Sequence, residues 1–396
     1  MRPRWLVATA LVAAGCFDPV PAKRLGCSET DRCPDGEICF ADGVCGPDDV
    51  FDGPPPFTLG AGTVSAIDIL NPGVGGTSEH VLAINNVDDS EFALLEIDQD
   101  GLVSPLGTIA GPVGSMAIMF TMTGTDTLIA WKPSELRMAT ISSGGVPGYN
   151  VEVDPPSETT GLTGAVLEPA STIGLLSFQP ATSDLRLVRR YVGGGETAPP
   201  IRIDSSDPLP PALFGAVVSM PPQWLVVYTQ DEAEAGKYAV VEGYGSSVVR
   251  NNYPFVPLNP RLAGTTDRIG LVYDNREDVM FVPLSRAAAT VGQPLGTPTA
   301  ITHADRSMFP NVATDGTSFG VVWVFDRHPG SEYDLYFAAV DETGAITVAP
   351  RRIATVPGLA SAAPNIVWWP AGAKYVVSWV EPDVGTRFVF VAPEPG

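Results

Sequence analysis

PNVATDGTSFGVVWVFDRHPGSEYDLYFAAVDETGAITVAPRRIA, from Pro310 to Ala354, is the stretch from which the fold is read. It opens as a short strand and turns tightly at Asp315-Gly316, a dipeptide suited to hairpins. An apolar strand then runs to Trp323, and a polar loop follows. A third strand covers Asp334 to Val340, and a turn at Gly344 leads into a fourth. Four antiparallel strands in about 50 residues make one repeating unit of an all-β protein.

The apolar strand with its terminal aromatic recurs along the chain. It reads TLIAW to Trp131, GLLSF to Phe178, WLVVY to Tyr228, IGLVY to Tyr273, GVVW to Trp323 and VVSW to Trp379, with a degenerate HVLAI ending at Ile84. Successive intervals are 47, 47, 50, 45, 50 and 56 residues. A proline opens the preceding strand at Pro211, Pro260, Pro310 and Pro364, spaced 49, 50 and 54. Each aromatic is followed by another apolar strand: ALLEI, LRMATI, LRLVRRY, YAVVEGY, VMFVPL, LYFAAV and FVFVAP. Two markers keeping one period point to radial repetition, so the expected fold is a seven-bladed β-propeller over residues 57–396. A six-bladed ring and a pair of β-sandwiches remain the alternatives. The last repeat stops at Phe388–Pro393 without a fourth strand, and Phe57–Gly62 is expected to supply it, pairing the two ends. The pattern resembles WD-repeat and lectin-like propellers in architecture only, because the Gly-His and Trp-Asp signatures are absent.

Composition agrees with many short strands. The 396 residues include 41 Gly and 39 Pro without a collagen-like period, and 44% are hydrophobic. The formal charge of −22 excludes a nucleic-acid partner, since phosphate binding needs a basic surface.

The N-terminus, MRPRWLVATALVAAGC, has Arg2 and Arg4 before an apolar stretch of ten residues, Trp5–Ala14. That is short of the roughly 20 needed to span a bilayer, so residues 1–15 read as a signal peptide. The small residues Ala13, Ala14 and Gly15 before Cys16 resemble a bacterial lipobox, although Ala13 stands where that family prefers Leu. The resemblance implies that Cys16 is lipidated, that residues 16–26 form a tether, and that the chain is exported and membrane-anchored. Phe17 in place of Asp implies the outer membrane or cell surface by the same resemblance. An ordinary signal peptide is the alternative. The odd count of five cysteines favours the lipid, because acylation of Cys16 leaves an even set.

Cys27, Cys33, Cys39 and Cys45 are evenly spaced around turn signals at Pro34-Asp35-Gly36 and Asp42-Gly43. A module of residues 27–45 cannot bury its own core, so two disulfides are expected, in any of three pairings. Zinc ligands usually come as closer Cys pairs. Residues 46–56, GPDDVFDGPPP, read as a Pro/Asp linker.

Chemistry is sparse. The three histidines, His80, His303 and His328, carry no metal motif; His303 and His328 with Asp305 or Asp326 form a candidate set, and solvated loop residues are the simpler reading. Asp98-Gln99-Asp100-Gly101 and Asp341-Glu342-Thr343-Gly344 read as hairpin turns rather than calcium loops. No nucleophile elbow, zincin motif or phosphate loop occurs. The signal that remains is acidic. The loops after the aromatic strands hold 16 Asp and Glu in 45 residues, threefold the chain's average. The candidate binding face drawn from them is Asp88, Asp89, Glu91, Asp231, Glu232, Glu234, Asp274, Glu277, Asp278, Asp326, Glu332, Asp334, Glu381 and Asp383. The expected function is an envelope binding scaffold for a protein or glycan partner, without a cofactor beyond weak calcium binding. The alternative is a carbohydrate-active hydrolase using two of these carboxylates, which requires them about 5–9.5 Å apart across a sugar.

Overall fold

A computed structural model describes residues 37–39, 45–47, 56–60, 63–69, 81–86, 91–110, 116–121, 127–132, 136–141, 147–154, 160–167, 172–179, 184–191, 196–203, 214–229, 236–302, 306–328, 332–357, 364–381 and 384–393. Strands β1 (Glu37–Cys39) and β2 (Cys45–Pro47) form a small hairpin in which Cys39 lies opposite Cys45. Strand β3 (Phe57–Gly60) follows. The remaining strands fall into successive antiparallel sheets.

The first sheet is β4 (Thr63–Ile69), β5 (Val81–Asn86), β6 (Glu91–Ile97) and β7 (Val103–Ala110). The second is β8 (Met116–Thr121), β9 (Thr127–Lys132), β10 (Leu136–Ile141) and β11 (Pro147–Asp154). The third is β12 (Thr160–Leu167), β13 (Thr172–Gln179), β14 (Asp184–Tyr191) and β15 (Glu196–Arg202). The fourth is β16 (Phe214–Met220), β17 (Gln223–Thr229), β18 (Lys237–Glu242) and β19 (Val248–Asn252). The fifth is β20 (Leu258–Gly264), β21 (Arg268–Asp274), β22 (Val279–Ser285) and β23 (Thr299–Ala300). The sixth is β24 (Ser307–Thr314), β25 (Ser318–His328), β26 (Glu332–Asp341) and β27 (Ile346–Val356). The seventh is β28 (Asn365–Trp369), β29 (Lys374–Glu381) and β30 (Gly385–Val391), completed by β3. Strand β3 pairs Phe57 with Phe388 and Thr58 with Arg387, so a segment from the start of the repeats supplies the last sheet's fourth strand.

Each apolar run ending in an aromatic, and Val81–Ile84 of the degenerate copy, lies in the second strand of its sheet. Neighbouring sheets cover both faces of β17, β21, β25 and β29, which is why β17 and β21 are buried continuously from their second residue and show no polar alternation. By contrast β19, at the outer edge, is almost wholly exposed. The first strand of each sheet lies against the first strand of the next, and β28 lies against β4. The arrangement is all-β and propeller-like.

The cores lie between sheets. Val272, Val279 and Phe281 of the fifth sheet pack with Trp323 and Tyr336 of the sixth. Val324, Leu335 and Phe337 of the sixth pack with Val377 and Trp379 of the seventh. Leu95 and Ile97 of the first sheet pack with Trp369, Val376 and Phe388 of the seventh, with Leu59 beside them. Tyr228, Tyr273, Trp323 and Trp379 are therefore packing residues.

A second device locks the faces together. Cβ atoms built at Gly174, Gly270 and Gly320 would come within 2.8, 2.8 and 2.6 Å of Trp224, Phe319 and Tyr375. In each case the ring belongs to the second strand of the following sheet and sits four residues before the terminal aromatic. Polar contacts repeat too. Thr265, in the first turn of the fifth sheet, donates to Glu342 in the last turn of the sixth. Lys374, which opens the second strand of the seventh just after its first turn, donates to the Gln99 carbonyl in the last turn of the first at 3.2 Å.

Candidate functional site

Because every sheet repeats the same strand order, the ends of the second strands, the starts of the third and the starts of the first share one rim. Asp274, last in β21, has Leu258, first in β20, as its Cα partner. The acidic loops belong to this rim.

The described carboxylates there are mostly turned to the protein. Asp274 is buried and accepts a 2.7 Å hydrogen bond from Asn259 Nδ2. Asp278 accepts from the Thr302 hydroxyl at 3.0 Å, and that hydroxyl also accepts the Val279 N–H. The loop 275–278 is closed by Asn275, whose Oδ1 accepts the Glu277 and Asp278 N–H groups, with Arg276 at a φ of 82°. Glu277 is exposed. Asp326 and Glu332 are half-buried. Glu381 pairs with Arg387 at 3.2 Å.

Asp334 is fully buried. Its Oδ1 accepts the Thr355 hydroxyl at 2.7 Å, and its Oδ2 lies 3.6 Å from Arg352 Nη1. Burial raises its pKa above the ordinary aspartate value, against the Thr355 hydrogen bond and the Arg352 and Arg327 charges. Asp334 and Asp274 therefore belong to the interior, and not to the open acidic face expected for them. Asp274 ends β21 and Asp334 lies two residues into β26, and at both places burial demands partners.

Asp88, Asp89, Asp231, Glu232, Glu234 and Asp383 lie outside the described residues, as do Cys16, Cys27, Cys33, His80, His303 and Asp305. Glu91 opens β6 and His328 closes β25. Among the described residues no three His, Cys, Asp or Glu side chains gather as a metal site. No helix among them is long and apolar enough to cross a membrane.

The Asp98 and Asp341 loops are hairpin turns. Asp98 Oδ1 accepts the Asp100 and Leu102 N–H groups, both at 2.9 Å. Asp341 Oδ1 accepts the Thr343 and Ala345 N–H groups at 2.8 and 3.0 Å. These backbone bonds, added to that from Thr343 Oγ1, outweigh partial burial and lower the Asp341 pKa.

The prolines mark the first strands in the sequence, but not the backbone irregularity beside them. Asn259 and Phe309 both adopt left-handed backbone, at φ 46° and 52°, directly before Pro260 and Pro310. Each marks a bulge in its strand, between Leu258 and Arg261 and between Met308 and Asn311. Left-handed φ at a bulky residue costs free energy and tends to mark functional or tightly determined positions. The repeated prolines were the only signal for them.

No family model matches this sequence, and no curated protein does. Solved structures do match in fold. Hydrazine synthase of Kuenenia stuttgartiensis aligns with a TM-score of 0.54 at 12% identity, covering 87% of this chain and 100% of that one. Oligogalacturonate lyase from Vibrio parahaemolyticus aligns at 0.53 and 9% identity, covering 84% and 99%. Prolyl oligopeptidase B from Galerina marginata aligns at 0.50 and 11% identity, covering 84% of this chain and 51% of that one. This chain thus spans about half the length of the prolyl peptidases it matches. At such identities the likeness concerns the fold, and it agrees with the propeller-like arrangement of the sheets.

Proposed function

We propose that this chain is an exported lipoprotein, acylated at Cys16, whose seven-bladed propeller serves as a binding scaffold at the outer membrane or cell surface. Seven blades are supported by the seven four-stranded sheets among the described residues. Closure of the ring is supported by β28 lying against β4 and by the Lys374–Gln99 contact, which repeats the Thr265–Glu342 contact of an internal junction. The stapled module before the ring is supported by Cys45, which is buried, cross-linked and opposite Cys39.

The observation that carries a scaffold over a hydrolase is the orientation of the rim carboxylates. A general acid or nucleophile must face its substrate, whereas Asp274, Asp278, Asp334 and Glu381 each engage side chains of their own chain. They frame a rigid rim, and exposed acids such as Glu277 give it its charge toward a cationic or polar partner. Exposed pairs contribute only about 0–1 kcal/mol each, so several loops must act together and binding must weaken with salt.

Two measurements test this. Cys16→Ala should move the protein from the membrane fraction to the soluble fraction with its melting temperature unchanged; retention in the membrane sinks the anchor. Purified protein should leave envelope glycans intact. Hydrolysis that is abolished by a single rim Asp→Asn change would replace the scaffold with the carbohydrate-active reading.

A further inference from the structure

The first strands carry a group that the acidic rim does not use. Arg261 follows Pro260 in β20 as Asn311 follows Pro310 in β24, and their Cα partners are Val272 and Val322. Ala263, two residues on, packs into the core shared with Val312 of β24, while Leu262 packs on the opposite side with the fourth sheet. Alternation along a strand therefore turns Arg261 toward β24. At the equivalent place Asn311 reaches across, donating from Nδ2 to the Pro364 carbonyl at 2.9 Å. Arg261 instead folds back, donating from Nη1 to its own neighbour, the Pro260 carbonyl, at 2.9 Å.

Among the described residues, most of a five-donor fork is thus left without a protein acceptor. The chain holds 45 acids against 23 Lys and Arg. Yet among the described residues no carboxylate pairs with Arg261, and Asp274 nearby is taken by Asn259. Burial alone lowers the Arg261 pKa, with no opposing charge. A half-buried guanidinium costs free energy unless its donors and charge are met. A planar carboxylate meets both through two parallel bonds.

We propose that Arg261 is the recognition residue of a site for a small organic carboxylate, placed where the first strands of the fifth and sixth sheets meet. The site does not depend on the acidic rim or on the lipid anchor.

Calorimetric titration of the full chain with malonate, and separately with inorganic phosphate, at constant ionic strength tests this. Malonate should bind with a dissociation constant in the millimolar range or tighter, and phosphate more weakly. Arg261→Met should lower malonate affinity at least about tenfold, and Arg261→Lys, which keeps the charge but loses the fork, should lower it several-fold. Without ligand, Arg261→Met should melt at or above the wild-type temperature, because it removes a desolvated charge that the protein leaves unmet. Equal malonate binding by both variants, or no binding by wild type, overturns the site. A large fall in the melting temperature of Arg261→Met overturns it as well, since the guanidinium would then be serving the fold; phosphate binding more tightly than malonate overturns the carboxylate assignment.

Discussion

Arg189 is fully buried in β14, and its Nη1 and Nη2 donate only to main-chain carbonyls, while Nε has no partner among the described residues. Nη1 donates to the carbonyls of Glu242, Gly243 and Gly245 at 3.0, 3.3 and 2.6 Å, and Nη2 to that of Pro199 at 3.0 Å. Three of these four acceptors belong to the last turn of the fourth sheet, so one side chain of the third sheet fixes a turn of the next. Replacing it with methionine keeps much of the volume and removes every donor. A hydrogen bond to a charged group is worth about 1.5–3 kcal/mol net, but several of these carbonyls are part-buried and regain water. Desolvation, which lowers the Arg189 pKa against the Glu242 charge, is relieved by the change and offsets part of the loss. The balance is a destabilisation of about 3–5 kcal/mol, the range for breaking a buried charged network. With a urea slope of about 3 kcal/mol/M or more, the midpoint should fall by roughly 1 M. Hydrogen exchange should rise first at Glu242 and Gly243, whose N–H groups bond to the Ser247 and Pro222 carbonyls. A midpoint shift below about 0.3 M, or exchange that rises uniformly, would refute the reasoning. Arg189→Lys should fall between the two, since one ammonium cannot span Pro199 and the turn.

The remaining predictions concern the sheet interfaces and pH. Gly320→Ala places a methyl 2.6 Å from the Tyr375 ring and should cost about 1–3 kcal/mol as overpacking. Gly316→Ala, where a Cβ meets nothing within 4 Å but φ is 98°, should cost about 1 kcal/mol from backbone strain alone; equal losses at the two sites in urea melts would contradict the interlock. The Asp334 pKa is raised on folding, so the native state holds its proton more tightly than the unfolded chain. Its contribution is therefore fullest below the ordinary aspartate pKa and is lost as pH rises through the raised folded value. Asp315 and Asp341 have the opposite sign: hydrogen bonds outweigh burial and lower their folded pKa. Their contribution is present above the ordinary value and lost as pH falls through the depressed one. Asp334→Asn should remove the alkaline-side loss while Asp315→Asn removes part of the acid-side loss, both read from urea midpoints between about pH 3 and 7.

What the sequence disclosed followed from periodicity. Second strands are covered on both faces, so WLVVY and IGLVY appear as unbroken apolar runs and announce themselves at one spacing. The strand exchange was legible for a topological reason: the last repeat lacked a fourth strand and Phe57 stood unassigned, and β3 does pair with β30. The glycine-to-ring interlock left a signal in Trp224, Phe319 and Tyr375, each four residues before a terminal aromatic, but a glycine in a strand is ambiguous until its neighbour is known. Acid counts misled in part. A count along a loop cannot tell Glu277, which faces solvent, from Asp334, which is fully buried two residues into its strand.

Arginine was the least legible residue of all, because its role depends on which carbonyls lie across a sheet junction. Arg189 and Arg261 are both strand residues with a desolvated guanidinium, and neither sits in a motif. Arg189 meets four carbonyls contributed by residues 10 to 56 positions away. Arg261 meets one, contributed by the residue before it. Near-identical chemistry in the sequence thus divides into a staple and an open fork, and the division is made by geometry between sheets. The bulges at Asn259 and Phe309 matter for the same reason. Each shifts the strand by a residue just before the position that faces the next sheet, which fixes whether an Asn or an Arg there can reach the neighbouring carbonyl. A short Asn311 reaches and is satisfied; a longer Arg261 folds back, and its remaining donors meet no protein acceptor among the described residues.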